Sequence, residues 1–450
     1  MNTLAQRLAH FSSALEYDAI PAPVMEKCKA SLLHNLGVGL AGGPLVGAVQ
    51  RYAQLLNESG PNATARLLLS GQRATPDTAA FVNAALMHAR AQDDVYFPGL
   101  THAGAIMSPA VLAVAEDMGS SGRDVLTALV AGYEVAGAIG QGFARRTTPR
   151  GFRASGIYGV FASAVGVARL MGLDSQATAN AIGIAASAAS GTNQTWVSGT
   201  QEWQLQVGMA SRNGILAARL AAAGATGAPQ SLEGAAGFYQ AFMGDRDGVD
   251  AVGADLGQVW RSLDVTYKPY AVCAILQAPV QAAIDLAQLH HLQPEEITAF
   301  RLYLNPSEAG YPGTDARGPF VDIGATLMSA QFCLAVALTE QKVKGIDLLR
   351  LSDPKLMPLV QRGVVIADER LGTRCFVLEI DRRQGETLRH VFTTQSEPFN
   401  WNHQEVMDNL RAMADELPLS SDQLEALGET VLCAQDKTVK DIVSACVISA

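Results

Sequence analysis

The feature that most constrains the fold of this chain is a long succession of apolar segments between Pro21 and Gly224. The segments have helical periodicity, and turns rich in Gly, Pro and Asp separate them. Small residues recur within them at three- and four-residue spacing, which allows helix axes to approach closely. The sequence therefore predicts one contiguous helical body, with helices near 22–42, 78–90, 107–118, 123–145, 155–171, 175–190 and 205–223.

The pattern changes after about Tyr267. Strands are predicted at 297–305, 364–369, 373–382 and 386–394, and helices near 276–289 and 324–339. Beyond Asn402 helical spacing returns, and these helices are expected to rejoin the first body. Because 450 residues exceed one ordinary core, we predict a mainly α protein of two domains. The predicted divisions are a helical domain over 1–267, an α+β domain over 268–401 and returning helices over 402–450.

Charge and targeting signals limit the partners. Lys and Arg number 33 and Asp and Glu 43, so the net charge of −10 would repel a phosphate backbone, and we expect no nucleic acid partner. The N-terminus lacks the pattern of a secretory signal. Apolar stretches such as 182–190 are far shorter than the about 20 residues that span a bilayer. We expect a cytoplasmic protein with no membrane partner.

Metal, nucleotide and acyl-enzyme signatures are absent from the sequence. The six cysteines form no CxxC pair and the eight histidines no HExxH spacing, so neither a metal site nor an iron–sulfur cluster is predicted. Glycine-rich runs lack the strand–GxGxxG–helix arrangement, and neither GxxxxGK[ST] nor GxSxG occurs. Nucleotide binding and acyl hydrolysis are therefore not predicted.

The strongest cluster of candidate residues is HARAQDDVYFPGLTHAGAIMSP, at 88–109. Catalytic residues are common on loops that a rigid scaffold positions. Asp93 and Asp94, with His102 after them, could form a carboxylate–imidazole pair that sets the tautomer and basicity of a proton-transfer histidine. The alternative is a capping aspartate and a structural histidine. The candidate site residues of this segment are Arg90, Asp93, Asp94, Thr101 and His102.

A second cluster, at 145–166, places four arginines just before a helix rich in small residues. Guanidinium groups near a helix N-terminus suit carboxylate or phosphate, because their fork geometry and the helix dipole act together. A solvated charge run is the alternative. Arg153 and Tyr158 are the chosen candidates, since GFRASGIYG is too apolar and glycine-rich for a plain surface turn.

The third candidate is Lys268, the only lysine between Lys29 and Lys342. Its apolar, aromatic surroundings predict burial, which lowers the pKa of an ammonium group and suits it to act as a general base or a carboxylate anchor. A lysine that extends its ammonium to solvent is the alternative. Cys273, five residues on, is either a proton donor or a packing residue.

Taken together, these blocks resemble the MmgE/PrpD family, which includes 2-methylcitrate dehydratase, cis-aconitate decarboxylase and iminodisuccinate epimerase. The resemblance covers nearly the whole chain. It rests on the His-Ala…Asp-Asp…Thr-His-Ala-Gly run at 88–104, on KPYAVC, and on segments 159–174, 207–227, 232–242 and 326–338.

The resemblance implies a large helical domain built from both chain ends, an inserted α+β lid domain, a homodimer, and a site between the domains without metal or organic cofactor. Family site positions match His102, Lys268 and Tyr311. Three basic family residues are replaced, by Arg153, Trp203 and Cys273. These replacements keep anion binding but remove acid–base groups, a pattern closer to the epimerase branch.

The sequence thus predicts a cofactor-independent epimerase that removes the proton next to a carboxylate of a small polycarboxylate such as iminodisuccinate. Lys268 is nominated with Tyr158 or His102 as the proton acceptor and donor. A lyase of the same family is one alternative, and an inactive polycarboxylate-binding protein is another. The expected substrate-binding residues are Arg153, Asp93, Asp94, Arg90, Thr101, Cys273 and Tyr311.

Overall fold

Helices dominate the computed structural model, which describes residues 3–56, 60–393 and 398–448. The helices before residue 250 are α1 (Leu4–Ala14), α2 (Ala22–Leu40), α3 (Gly47–Leu56), α4 (Pro76–His88), α5 (Ala103–Met118), α6 (Gly122–Gly140), α7 (Ala144–Thr147), α8 (Ala154–Leu170), α9 (Ser175–Ala188), α10 (Gln194–Ser198), α11 (Glu202–Ala222) and α12 (Phe238–Met243). The later helices are α13 (Gln277–Leu289), α14 (Pro306–Ala309), α15 (Ile323–Met328), α16 (Ala330–Glu340), α17 (Met357–Val360), α18 (His403–Ala412), α19 (Ser421–Leu432) and α20 (Val439–Ser444).

The strands form small sheets. They are β1 (Ala65–Arg66), β2 (Arg73–Ala74), β3 (Val95–Tyr96), β4 (Val265–Thr266), β5 (Ile297–Leu304), β6 (Gly363–Ala367), β7 (Phe376–Arg382) and β8 (Leu388–Phe392). The largest sheet has the order β6-β5-β7-β8, with β5 parallel to β6 and the other pairs antiparallel. Phe300, Leu302 and Leu304 alternate along β5 and are buried, as period-two side-chain placement requires when one face meets a core.

Two hydrophobic cores divide the described residues. The first contains buried side chains from Leu4 to Tyr267 and again from Val406 to Cys446, so both ends of the chain contribute to it. The second runs from Ala271 to Leu388 and also takes Trp196 and Trp203 from the helical part. The mainly α fold with a smaller α+β unit is confirmed, whereas the boundaries after residues 267 and 401 stay predictions.

Close helix packing depends on glycine. A Cβ added at Gly132 of α6 would meet Met107 and the backbone of α8, and one at Gly214 of α11 would meet Ser163 of α8. Such contacts let the axes approach as the small-residue spacing predicts. No helix in the described residues is long and apolar enough to cross a membrane.

Most predicted elements lie within a few residues of the observed ones. Two differ. The helix predicted over 123–145 ends at Gly140, and the one predicted over 324–339 is divided at Ser329. The Ser329 hydroxyl accepts a hydrogen bond from the Phe332 amide at 3.0 Å and so caps a new helix. Of the predicted strand 386–394, Thr394 lies outside the described residues.

Candidate active site

Two short strands bring the distant candidate segments together. Helix α4 ends at His88 and α5 begins after His102, and β3 lies in the loop between them. Strand β3 pairs with β4, which ends at Thr266, two residues before Lys268. This pairing carries the lysine to the loop, where its ammonium donates to the Ala91 carbonyl at 2.5 Å.

Asp93 is the centre of a buried cluster of charged and imidazole groups. His88 Nδ1 lies 2.8 Å from Asp93 Oδ1, and His102 Nδ1 lies 3.1 Å from Oδ2. Lys268 Nζ is 3.8 Å from Oδ1. Burial acts to raise the pKa of Asp93, but the neighbouring His88, His102 and Lys268 together hold it well below its usual range. Asp93 is therefore a carboxylate at neutral pH.

His88 has a defined tautomer because both ring nitrogens have partners. Arg153 Nη2 donates to His88 Nε2 at 2.5 Å, so the ring proton is on Nδ1 and is donated to Asp93. Burial lowers the pKa of His88 to about 3 despite the opposing effect of Asp93. Arg153 also donates to the Trp203 carbonyl at 2.5 Å. His88 therefore connects Arg153 to the carboxylate as a neutral ring.

His102 presents a free nitrogen. Its Nδ1 lies 2.7 Å from the Asp94 carbonyl and near the Asp93 carboxylate, two acceptors that assign the ring proton to Nδ1. Within the described ranges Nε2 makes no hydrogen bond and keeps its lone pair. Burial, and then the charge of Lys268, lower the pKa of His102, with Asp93 opposing. The neutral ring is therefore suited to accept a proton at Nε2.

Lys268 is buried beside this ring. Its Nζ lies 3.4 Å from His102 Nδ1, and burial lowers its pKa, with Asp93 opposing that shift most strongly. The side chain is 1% exposed. The predicted burial of this lysine is thus observed, and solvation of its ammonium at the surface is not.

The cluster forms part of the wall of a cavity of about 510 Å³. His88, His102, Arg153 and Lys268 line it on the helical side, whereas Tyr311 comes from the α+β part. Cys273 also lines it. Burial raises the pKa of Cys273 to about 11 and that of Tyr311 to about 12, so both groups are protonated at neutral pH.

The arginine cluster divides between the cavity and the protein surface. Arg145 and Arg153 line the cavity. Arg146 instead pairs with Asp245, and Arg150 donates to the Met243 carbonyl. Arg153 lies with its Cζ 5.0 Å from the ring centroid of Trp196, and burial lowers its pKa to about 10. Two of the four guanidinium groups can therefore face an anionic ligand.

Five predicted residues do not line this cavity, and Asp93, which lies behind His88 and His102, is one of them. Tyr158 is buried against Phe238, with its hydroxyl 3.4 Å from Thr147 Oγ1. Arg90 forms an ion pair with Glu416 at 2.8 Å. The other two, Thr101 and Asp94, are buried in or beside the loop of β3.

Asp94 has its own polar surroundings behind His102. Its Oδ2 accepts a hydrogen bond from the Tyr133 hydroxyl at 2.5 Å, and its amide donates to Asn35 Oδ1 at 3.0 Å. Burial raises the pKa of Asp94 to about 7, although the Tyr133 hydrogen bond opposes this. A Cβ at Gly104 would collide with Asn35 and Tyr133. Asp94 therefore contacts His102 only through its backbone.

Several cavity residues were missed by the sequence reasoning. They come from the start of α8, from α10 and the residue before it, and from α14. Trp196 could have been noticed, because aromatic residues are only 6% of the chain. The missed lining residues include Ser155, Asn193, Gln194, Trp196 and Glu308.

The donor set of the cluster also bears on metal binding. Ligand atoms of His88, Asp93 and His102 lie within 4.8 Å of one another. However, both His88 nitrogens are already paired, and Lys268 Nζ is within 4 Å of Asp93 and of His102. A divalent ion would meet these fixed positive charges, so the donor set fits a metal poorly.

The fold and the site define a helical protein with a buried acid–base cluster at a cavity shared with an α+β unit. The chain belongs to the MmgE/PrpD family, since residues 6–249, more than half of its length, match the MmgE/PrpD N-terminal domain. The family resemblance predicted from the sequence is confirmed.

Curated relatives are similar at low identity. Cis-aconitate decarboxylase of Aspergillus terreus is 26% identical over 75% of this chain and 72% of its own length. Human cis-aconitate decarboxylase is 29% identical over 53% of this chain and 50% of its own. The cis-aconitate decarboxylase-like protein oryM of Aspergillus oryzae is 25% identical over 66% and 63%.

Proposed function

We propose that this protein is a cofactor-independent epimerase that inverts a carbon next to a carboxylate in a small di- or polycarboxylic acid. An acid with an aspartate-like carbon, such as iminodisuccinate, is the expected type of substrate. The observation that carries the proposal is the unpaired Nε2 of neutral His102 on a cavity wall that also contains Lys268 and Arg153.

The first step is proton abstraction. His102 Nε2 takes the proton from the carbon, and the imidazolium that forms is stabilised by the Asp94 carbonyl and the Asp93 carboxylate at Nδ1. Negative charge then moves onto the substrate carboxylate. Lys268 and Arg153 are buried donors, and donors held out of water stabilise developing charge most strongly.

Inversion needs a proton donor on the other face of the carbon. Tyr311 and Cys273 line the same cavity and are protonated at neutral pH, since burial raises the pKa of each. We assign the donor role to Tyr311, because Tyr158, nominated from the sequence, does not line the cavity. After one inversion His102 holds the added proton and Tyr311 lacks one, and exchange with water or the reverse inversion restores both.

The replaced family positions favour epimerisation over loss of water or CO2. Trp203 is fully buried and offers no group that titrates near neutral pH, and Arg153 is engaged with His88. Fewer acid groups thus remain to protonate a leaving hydroxyl. A lyase is the second candidate, because the relatives are named cis-aconitate decarboxylases or proteins like them.

The test uses single stereoisomers of substituted succinates and of iminodisuccinate in D2O. We expect the opposite stereoisomer to form with one deuterium at the inverted carbon. NMR measures the deuterium, and chiral chromatography measures the stereoisomer. The His102→Gln protein is the matched control and should do neither. Alkene absorbance or CO2 release without inversion would replace the epimerase with the lyase, and no turnover of any acid would contradict both.

A further inference from the structure

The cavity wall beyond the acid–base cluster is mostly apolar. Phe97 and Leu100 come from the loop after β3, and Ile275 precedes α13. Trp196 and Val197 add side chains from α10, the second of which is 65% exposed at the rim. A polycarboxylate without an apolar group would leave this apolar surface with no apolar contact from the ligand.

A small apolar annex adjoins the cavity. Its volume is about 40 Å³, and it shares Phe97, Lys268 and Ile275 with the main cavity. The remaining wall includes Leu304 of β5, Pro279, Phe376 and Phe392. The reacting end of the cavity therefore continues past Lys268 into an apolar recess.

Besides Lys268, two residues of opposite charge, Glu308 and Arg374, line the annex. The Glu308 carboxylate accepts from the Arg374 amide at 2.8 Å, and the Arg374 guanidinium lies over the Phe97 ring, 4.9 Å from its centroid. Burial raises the pKa of Glu308, and the hydrogen bond from the Arg374 amide, followed by the charges of Arg145 and Arg374, opposes this. Glu308 and Arg374 therefore offset each other, and Lys268, which the annex shares with the main cavity, is the cation left to face a carboxylate.

The charge of the main cavity limits the number of carboxylates that it can bind. Among the described residues, its cationic lining groups are Arg145, Arg153 and Lys268. Asp93 lies 3.8 Å from Lys268, and Glu308 lines the cavity itself. With Arg374 of the annex included, four cations against the two carboxylates Asp93 and Glu308 leave two net positive charges. Such a site suits one or two substrate carboxylates, because each further buried anion would lack a partner.

We propose that the substrate is a small acid with at most two carboxylates whose reacting carbon carries an apolar substituent of several carbons. The substituent lies on Phe97 and Ile275 and extends toward the annex. This inference rests on the proposed function and narrows its substrate to dicarboxylates, so that iminodisuccinate, which has four carboxylates, lies outside the proposed substrate class. The cavity volume agrees, since about 510 Å³ falls within the roughly 300–1,000 Å³ typical of sites for larger ligands than a four-carbon diacid.

The test measures binding of 2-alkylsuccinates to the whole protein by calorimetry, from methyl to hexyl, with succinate and citrate for comparison. Each CH2 that reaches the apolar wall should tighten Kd about fourfold, until the annex is filled. Citrate should bind more weakly than 2-butylsuccinate. Equal affinity across the series, tighter binding of citrate, or no binding of any alkylsuccinate would overturn the inference.

Variants assign the effect to the wall. Ile275→Trp occupies the space beside the apolar wall, and Phe97→Ala removes part of that wall. Each variant should therefore reduce the gain in affinity to less than about twofold per CH2. Leu289→Trp, on an exposed position at the end of α13, is the control and should keep the full gain. A full gain in both wall variants would also contradict the inference.

Binding and chemistry are read separately. Deuterium exchange in D2O is recorded for the same acids. If affinity rises with alkyl chain length but no deuterium exchange occurs, the proposed substrate class stands and the epimerase is contradicted. If exchange occurs but affinity does not change with chain length, the epimerase stands and the substrate class is contradicted.

Discussion

His102 Nδ1 lies 3.1 Å from Asp93 Oδ2, while the second oxygen of this carboxylate faces His88 Nδ1 at 2.8 Å. One aspartate thus orients two imidazoles that differ in their other nitrogen. His88 Nε2 accepts a hydrogen bond from Arg153, whereas His102, whose Nε2 makes no hydrogen bond within the described residues, lines the cavity. This asymmetry supports the proposed proton-transfer role of His102 and suits His88 to an orienting role.

Replacing His102 by Gln should lower kcat/KM by about 10²–10⁴-fold, the usual contribution of a general base. The base must be neutral to act. Burial lowers its pKa, so activity should be level near pH 7 and decline only as pH falls below the ordinary value of 6.5. A pH profile of kcat/KM checks this. A wild-type limb centred above pH 7 would contradict the assignment to His102.

The two adjacent aspartates provide a matched pair. Asp93→Asn should lower kcat on the order of 10²-fold, because the imidazolium of His102 loses its carboxylate. The acid limb should also move to lower pH, since Asp93 acts to raise the pKa of His102. Asp94→Asn should retain most activity, because Asp94 contacts His102 through its backbone carbonyl. Equal losses in both variants would contradict these separate roles.

Stability should depend on pH through Asp94. Its pKa is raised to about 7 in the folded protein from 3.8, so the folded state binds the proton more tightly. The stability that protonated Asp94 contributes is present below pH 4 and is lost as pH rises to about 7. Asp94→Asn should therefore raise Tm more at pH 8 than at pH 4. Parallel Tm curves for the two proteins would contradict the raised pKa.

The sequence predicted the helices well, because helical periodicity is a local property of the chain. It predicted the cluster around Asp93 only in part, because the geometry of that cluster depends on residues far apart in the sequence. Asp93 and His102 were selected as a pair and Lys268 separately from its apolar context, and the structure brings the three together, while their catalytic roles stay predictions. Which of two adjacent aspartates faces the histidines depends on the loop, where Ala91 has φ of 49°. No periodicity reports a left-handed residue of this kind.

Tyr158 illustrates a second limit. It was selected because its segment is apolar and glycine-rich. Such a segment indicates that the side chain is buried, but it does not indicate which residues the side chain packs against. The structure packs its ring against Phe238, which is eighty residues away in the sequence, at a centroid distance of 5.5 Å. Trp196 was missed for the opposite reason, because an aromatic residue in a short helix gives no sign of lining a cavity.

Arg90 is predicted to be structural. Its guanidinium is buried and bonded to Glu416 and Gln92, and Glu416 also accepts from the Gly345 amide at 2.8 Å. Arg90→Met would leave Glu416 without its cation, at a cost of about 3 kcal/mol in the free energy of unfolding. Denaturant unfolding measures the loss, and KM should stay near the wild-type value. If Arg90→Met raised KM without loss of stability, Arg90 would instead be a substrate-binding residue.

Lys268→Met should lower kcat/KM on the order of 10²-fold or more with little change in folding, because the variant loses the ammonium that stabilises the developing charge beside His102. Lys27 is the matched control. It is also a buried lysine, with a pKa lowered to about 7 by burial, but it donates to Asn400 and does not line the cavity. Lys27→Met should lower Tm and leave kcat/KM nearly unchanged. If Lys268→Met instead lost activity only in proportion to a fall in Tm, Lys268 would be a structural lysine, and stabilisation of the developing charge would be assigned to Arg153.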